Sequence, residues 1–200
     1  MSVAAIAAVT ALVAGGISVT LILILHFVEP EYDPSWRMIS EYSLGRHGWI
    51  MRIAFIAMAV SPAAICVALW PFGGVWTIGL AIVALGALGA AFVDADPIMT
   101  PRERVTPVGR AHSVLGSVLL VGFPVAALLA AIGSADELGW TLAIASGAAW
   151  AVLVWFLITA ASAGGLPGSP QVRVGWPDRA CLVVYLAWVS LAAAQVLSRS

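Results

Sequence analysis

Eight polar or charged residues carry the groups in this sequence that could support chemistry. They are His26, Ser40, Glu41, Asp94, Asp96, His112, Asp178 and Arg179. Carboxylates and imidazoles bind metal ions and transfer protons, a guanidinium binds carboxylates or phosphates, and a serine hydroxyl can orient a substrate. These residue types are compatible with a structural cluster of ion pairs and also with a binding or catalytic site.

Asp94, Asp96 and His112 are the candidates for a metal site. Two carboxylates separated by one residue can hold a divalent ion on a phosphate-bearing substrate, and histidine is a common zinc ligand. A solvated turn before Pro97 explains the two aspartates at least as well, and the three histidines of the chain lack i, i+4 spacing. A divalent metal is therefore left open, whereas a haem between His26 and His112 has no supporting sequence pattern.

The composition places these groups in a membrane protein. Apolar residues make up 62% of the 200 residues and charged residues only 10%, against roughly 25% charged residues in a typical globular domain. A soluble domain of this length lacks the interior to bury so much apolar surface, so we expect lipid to cover it. The net charge of −1 offers no attraction to nucleic acid.

Six apolar segments are long enough to cross a hydrocarbon core of roughly 30 Å. They cover approximately residues 3–28, 48–70, 75–94, 108–132, 138–162 and 178–197. Breaks are predicted at prolines and glycines, including Pro71 with Gly73-Gly74 and residues 164–167. Pro62 and Pro124 lie inside segments and predict kinks, because a spanning helix tolerates proline when a neighbour bonds the freed carbonyl. The prediction is an all-α, six-transmembrane-helix bundle, with residues 1–200 forming a single membrane domain.

The distribution of arginine predicts the orientation of this bundle. Eight of the nine arginines lie in the first, third and fifth loops, and only Arg199 lies on the other side. Because arginine-rich loops remain in the cytoplasm, both termini are predicted to be extracytoplasmic. No acid or base falls at the middle of a segment, which argues against a proton-coupled transporter.

The first cytoplasmic loop is predicted to contain a short interfacial α-helix from Pro34 to Leu44. Asp33 before Pro34 is a typical helix start, and Gly45 is a plausible end. The apolar side of this helix would lie at the membrane interface. It would act as a lid that presents Ser40 and Glu41 to the other polar groups.

Helical spacing indicates that His26, Asp94 and His112 point into the bundle at its cytoplasmic end. Small residues recur at intervals of three or four before His26 and Asp94 and after His112, which is typical of faces where membrane helices approach each other. Arg179 begins the sixth segment, where the helix dipole disfavours a cation. We therefore expect a carboxylate beside it, from Glu41, Asp94 or Asp96. A local contact with Asp178 or with a lipid phosphate is the alternative.

Several short motifs occur together in an order that resembles one known family. His26 ends the first segment, ISEYSLG follows at 39–45, GRAH opens the fourth segment at 109–112, and Asp178-Arg179 opens the sixth. This arrangement is similar to that of domain-of-unknown-function family 998. The resemblance covers essentially the whole chain and implies a six-helix prokaryotic inner-membrane protein without an established activity. A fainter likeness to alkaline ceramidase-type membrane hydrolases transfers no catalytic role, because their HxxxH pair is missing.

Three functions are compatible with these observations. In the first, the cytoplasmic-end cluster is a structural lock or a site for lipid headgroups or a protein partner, with Arg179 paired to a carboxylate and His112 donating to an acid or carbonyl. In the second, the protein is a metal-dependent enzyme for a lipid or lipid-linked substrate, in which Ser40 or Glu41 orients substrate or moves a proton. In the third, the protein is an accessory subunit of a membrane complex.

Overall fold

The computed structural model of the protein describes residues 1–162 and 169–199, and all its regular elements are helical. The α-helices of these residues are α1 (Val3–Val28), α2 (Gly48–Gly73), α3 (Ile78–Ala90), α4 (Pro107–Leu120), α5 (Gly122–Gly133), α6 (Ala135–Leu138), α7 (Thr141–Ala161) and α8 (Gly175–Leu197). Short 3₁₀ helices are η1 (Ile39–Leu44), η2 (Gly74–Thr77) and η3 (Arg102–Arg104). The all-α prediction is confirmed. The predicted break at residues 164–167 lies outside the described residues.

Five helical stretches in the described part of the chain are long and apolar enough to cross a membrane. They are Val3–Val28, Gly48–Ala90, Pro107–Gly133, Thr141–Ala161 and Gly175–Leu197. Large apolar side chains on their outer faces, such as Phe27, Leu85 and Ile144, are exposed on the protein surface. Such a surface is stable only against lipid or another apolar surface, and the helices indicate a multi-pass membrane protein.

The 43-residue stretch Gly48–Ala90 reverses direction at Gly74. The φ angle of Gly74 is +50°, a left-handed conformation that glycine adopts without steric cost. The Arg52 Nη2 atom lies 2.8 Å from Asp94 Oδ1, although a straight helix would separate these residues by about 60 Å. Helices α2 and α3 therefore pack side by side as an antiparallel pair. The break predicted at Pro71 with Gly73-Gly74 falls at the glycines, because α2 continues through Pro71 to Gly73 and the chain reverses at Gly74.

The fourth apolar segment is kinked, as predicted, where α4 ends and α5 begins at Val121. Pro124 has no N–H to donate to the carbonyl of Leu120, four residues earlier. That carbonyl instead accepts a hydrogen bond of 2.7 Å from the Tyr185 hydroxyl of α8. A neighbouring helix thus satisfies the group that the proline leaves free. Helix α2 continues through Pro62 without a break, in agreement with the prediction for that proline.

The packing of the helices leaves α4 at one side of the bundle. Helix α8 packs against α1, α2, α5 and α7, whereas α4 packs mainly against α3 and α5. Close approach of α3 and α4 depends on Gly86, because a Cβ at this position would lie 2.9 Å from the Leu115 carbonyl oxygen. Of the α4 residues only Gly109 and His112 are buried. The opposite side of α4 has no helix packed on it within the described residues.

The connection between α1 and α2 differs from the predicted interfacial α-helix. Asp33–Arg37 forms a single turn, Met38 is extended, and only Ile39–Leu44 is helical, as a 3₁₀ helix ending at Gly45. The first bond of an α-helix from Pro34 is present, from the Arg37 N–H to the Asp33 carbonyl at 3.0 Å. To continue, the helix would need the N–H groups of Met38 and Ile39. These groups donate instead to Glu41 Oε2 at 3.2 Å and to Asp178 Oδ2 at 2.8 Å. The carboxylates therefore replace the α-helical bonds.

Candidate functional site

Three chain segments meet at one end of the helices, which we call the charged end. They are residues 29–47 between α1 and α2, residues 91–106 between α3 and α4, and residues 169–174 before α8. Glu41 Oε1 accepts a hydrogen bond from the Ile98 N–H at 2.9 Å and so joins the first segment to the second. Asp178 joins the first segment to α8 through its bond to Ile39. The predicted convergence of these segments is thus observed.

Arg179 binds its neighbours without forming an ion pair. Its Nε–H donates to His26 Nε2 at 2.9 Å, and its Nη1 donates to the carbonyls of Arg37 at 2.8 Å and Gly175 at 3.1 Å. Its Nη2 lies 3.3 Å from the Tyr42 hydroxyl. Among the described residues no carboxylate forms a salt bridge with it. The prediction of a carboxylate partner was wrong, because backbone carbonyls and a neutral imidazole satisfy the guanidinium.

Two of the carboxylates proposed as partners of Arg179 are paired with other arginines. Arg37 Nη1 lies 2.7 Å from Glu41 Oε1, and Glu41 is 1% exposed. Asp94 accepts two hydrogen bonds from Arg52 Nη2, at 2.8 and 3.0 Å, and 46% of its side chain is exposed. Glu41 is therefore an interior group, whereas Asp94 lies on the surface and does not point into the bundle.

Asp96 and His112 are held in place by backbone groups. Asp96 accepts hydrogen bonds from the Thr106 N–H at 2.7 Å and the Thr106 hydroxyl at 3.0 Å, at the start of α4. His112 Nδ1 lies 2.6 Å from the Val93 carbonyl, so His112 donates to a carbonyl as predicted. No group of three or more His, Cys, Asp or Glu side chains in the described residues could hold a metal ion. Asp94, Asp96 and His112, the candidate metal ligands, do not form such a group.

Glu29 and His47 form a further buried pair that the sequence pattern did not indicate. Glu29 is 1% exposed, and its carboxylate accepts hydrogen bonds from the backbone N–H of His47 and, at 3.0 Å, from the His47 ring. Burial opposes ionisation, but these hydrogen bonds outweigh it and hold the pKa of Glu29 below its usual range. Gly45 permits this approach, since a Cβ there would lie 2.7 Å from the carboxylate.

A cavity of about 380 Å³ lies beneath the charged end, between α4 on one side and α7 and α8 on the other. Its volume is in the usual range for small-molecule sites, about 300–1,000 Å³. Most of its wall is apolar, and the deep part is formed by Met58, Pro62, Phe123, Leu186 and Val189. Along α8 it extends from Asp178 to Val189, which is about 16 Å at 1.5 Å per residue.

Polar groups of the cavity are concentrated at its charged end. They come from Ser40, Glu41, Asp96, Thr100, His112, Ser113 and Asp178, while Ser117 and Tyr185 lie further along the wall. Ser113 and Ser117 are also exposed on the outer surface of α4. The cavity therefore combines a polar end, an apolar shaft and a wall that reaches the outer surface of the bundle.

The predicted site residues separate into two groups. Ser40, Glu41, Asp96, His112 and Asp178 line the cavity. Of the other three, His26 and Arg179 hold α1, α8 and the first connection together, and Asp94 pairs with Arg52 on the surface.

Several residues of this end were not singled out from the sequence. Arg37 and Tyr42 flank Glu41 and contact its surroundings, and burial raises the pKa of the Tyr42 hydroxyl although the nearby Arg179 guanidinium opposes this. Tyr185, which closes one wall of the cavity, lies seven residues after Asp178 and so on the same helical face. That spacing was the available signal for Tyr185.

Comparison with known proteins defines the family but no activity. No curated protein and no solved structure matches this chain. A family model described as protein of unknown function (DUF998) matches residues 12–195, which include every long helix of the structure in whole or in large part. The match confirms the resemblance based on the ISEYSLG, GRAH and Asp178-Arg179 motifs. The chain belongs to the DUF998 family of proteins of unknown function.

Proposed function

We propose that the protein binds one lipid molecule in the cavity, with the lipid headgroup at the charged end and a chain along the apolar shaft. The observation that carries this proposal is the polarity gradient of the cavity wall. Met58, Phe123 and Val189 line its deep part, and His112 and Asp178 lie at its polar end. An amphipathic molecule is the ligand class that satisfies both parts at once.

The position of α4 supports entry of the lipid directly from the membrane. Ser113, Gly116 and Ser117 belong to the cavity wall, and both serines are also exposed. In the described part of the chain α4 makes no extensive packing with α7 or α8. A lipid could pass between these helices without its chain entering water, which avoids the cost of exposing apolar surface.

We further propose that the chain crosses the membrane six times, with α2 and α3 as separate crossings. Exposed tryptophans support this arrangement, because tryptophan prefers the two membrane interfaces. Trp49 lies at the charged end of α2, and Trp70 and Trp76 lie near the reversal at Gly74. Trp49 and Trp70 are separated by about 31 Å along the helix, close to the thickness of the hydrocarbon core. The distribution of arginine favours a cytoplasmic charged end.

Gly116→Phe provides a direct test of lipid binding. A Cβ at Gly116 would meet no atom within 4 Å, so a side chain can start there without a clash. Because Gly116 belongs to the cavity wall, we expect the ring of a phenylalanine to occupy part of the cavity. Gly147→Phe on α7 is the matched control, because Gly147 is exposed and its Cβ is equally unobstructed. Both substitutions replace a helical glycine, so we expect both proteins to fold.

Native mass spectrometry of the three proteins, purified from membranes in a mild detergent, measures the retained lipid. We expect one lipid per chain in the parent protein and in Gly147→Phe, and its loss in Gly116→Phe. Equal lipid retention by Gly116→Phe and Gly147→Phe would contradict the proposal. A parent protein without any retained or added lipid would also contradict it.

A further inference from the structure

The hydrogen-bonding state of the cavity wall indicates which headgroup the site accepts. Three hydroxyl groups of the wall use their hydrogens within the protein. The Ser113 hydroxyl donates to the Gly109 carbonyl, the Ser117 hydroxyl to the Ser113 carbonyl and the Tyr185 hydroxyl to the Leu120 carbonyl. None of these hydrogens is available to a ligand in this structure.

His112 also uses a ring N–H within the protein. Its Nδ1 faces the Val93 carbonyl at 2.6 Å. A carbonyl can only accept, so Nδ1 carries a hydrogen, and in the tautomer that this contact selects the Nε2 atom is an acceptor. Nε2 has no hydrogen-bond partner among the described residues and is not enclosed by protein atoms. The imidazole therefore offers a lone pair to the cavity.

Asp178 presents a second acceptor at the same end. It is 8% exposed, and its Oδ2 atom accepts the Ile39 N–H. Its Oδ1 atom accepts no hydrogen bond from the described residues and is not sealed off from the cavity. The Arg179 side chain next to it is directed to His26, Tyr42 and backbone carbonyls. A buried acceptor of this kind requires a donor from a ligand or from water.

The charge of the cavity wall also disfavours an anionic headgroup. Glu41, Asp96 and Asp178 line the cavity, and no arginine lies in its wall within the described residues. Glu41 is paired with Arg37, whereas no arginine in the described part of the chain forms a salt bridge with Asp96 or Asp178. The Ser40 and Thr100 hydroxyls could each donate or accept. A phosphate headgroup would bring further acceptors and negative charge against these groups, at a cost in both hydrogen bonding and electrostatics.

We infer that the cavity selects lipids whose headgroup donates hydrogen bonds and carries no anionic group, namely hydroxyl or primary ammonium headgroups. This inference rests on the proposed lipid binding and specifies its substrate class. The donors of the headgroup would bond to Asp178 Oδ1 and His112 Nε2, and its chain would follow the apolar wall toward Phe123 and Val189.

Four amphiphiles with the same saturated chain test the inference on the full-length protein in detergent at pH 8. They are the monoacylglycerol, the primary alkylamine, the alkyl-trimethylammonium ion and the alkyl phosphate. Native mass spectrometry measures the occupancy of each at equal concentration. We expect the monoacylglycerol and the alkylamine to bind at one per chain. The trimethylammonium ion and the alkyl phosphate should bind more weakly by a factor of about ten or more. The trimethylammonium ion separates the effect of donation from that of positive charge, because it has no N–H.

Asp178→Asn changes the free acceptor into a donor with little change of shape. The asparagine oxygen can still accept the Ile39 N–H, and its amide NH₂ then faces the cavity. We expect this variant to bind the monoacylglycerol and the alkylamine several-fold more weakly, and the alkyl phosphate no more weakly than the parent protein does. If the variant does not fold, the relative binding of the four amphiphiles to the parent protein tests the inference.

The possible results separate the inference from the proposed function. Preference for the alkyl phosphate, or equal binding of the trimethylammonium ion and the alkylamine, would overturn the headgroup inference but leave lipid binding intact. Absence of binding by all four amphiphiles would overturn both. Binding that Gly116→Phe does not reduce would place the amphiphile outside the cavity, with the same consequence for both.

Discussion

Arg179 shows how one side chain can connect three parts of the chain at the charged end. Its guanidinium bonds to His26 on α1, to the Arg37 carbonyl in the first connection and to the Gly175 carbonyl of its own helix. Its central carbon also lies 5.9 Å from the centre of the Tyr42 ring. The planar fork of arginine can serve several directions at once, which a lysine ammonium on a flexible stem does poorly.

Replacement of Arg179 should therefore destabilise the protein even when the charge is kept. We expect Arg179→Ala to lower the free energy of unfolding by about 2–4 kcal/mol, since several buried acceptors lose a charged donor. Arg179→Lys should recover only part of this loss. Thermal unfolding in detergent measures both variants, with Arg104→Ala as the control because Arg104 is exposed on η3. An Arg179→Ala protein that melts with the parent would disprove the connecting role.

At the scale of secondary-structure elements, the bond from Tyr185 to Leu120 joins α8 to the kink between α4 and α5. The bond exists because Pro124 cannot supply its own N–H to the Leu120 carbonyl. Phe123 stacks on the Tyr185 ring with a centroid distance of 4.4 Å, so the kink and α8 also share an aromatic contact. The same tyrosine forms part of the cavity wall.

A double-mutant cycle tests this account of the kink. Tyr185→Phe should cost about 1–3 kcal/mol in the parent protein, because it leaves the Leu120 carbonyl without a donor. In a Pro124→Ala background the alanine N–H can bond to Leu120, so we expect Tyr185→Phe to cost less. Thermal unfolding of the four proteins in detergent gives the coupling energy. A coupling of zero would mean that the tyrosine and the proline act independently.

At the scale of the whole molecule, the arrangement of charge predicts how the protein lies in the membrane. Glu103 is exposed in the connection between α3 and α4 at the charged end, and Asp136 is exposed on α6 at the opposite end. We expect a membrane-impermeant maleimide to label Asp136→Cys in intact cells and Glu103→Cys only after lysis. The native cysteines, Cys66 and Cys181, are buried and provide a low background.

The termini test the number of crossings in the same experiment. Six crossings place both termini on the same side as Asp136, so Ser2→Cys and Arg199→Cys should also be labelled in intact cells. Labelling of only one of these two positions would require an odd number of crossings and would contradict the six-crossing proposal. Labelling of Glu103→Cys alone in intact cells would instead show that the protein has the opposite orientation.

The helices could be predicted from the sequence because the length of an apolar segment and its flanking breakers determine whether it spans a membrane. The start of α1 and its end at Val28 agree with the prediction. The grouping of Ser40, Glu41, His112 and Asp178 could also be anticipated, since helical spacing and loop order bring them to one end. The cavity was not predictable, because it depends on how far α4 stands from α7 and α8.

The pairing of charges was the least predictable feature. Glu41 selects Arg37, four residues before it, and Asp94 selects Arg52 across the antiparallel pair. The i, i+4 spacing of Arg37 and Glu41 was an available signal for the first pair. The second pair depends on distances of a few ångströms between two helices, which no sequence pattern specifies. Glu29 was overlooked because a glutamate before proline is typical of a helix break, and its partner His47 lies eighteen residues away.

The exposed wall of the cavity along α4 has a consequence for the meaning of affinity in this protein. A lipid that enters between α4 and α8 is already dissolved in the bilayer, so occupancy depends on its mole fraction in one leaflet and not on its concentration in water. Even a site of low affinity would then be occupied when the lipid is abundant and would become empty when that lipid is scarce. Ser113 and Ser117 lie where such exchange would take place. Through this opening the protein would sample the composition of the membrane that surrounds it.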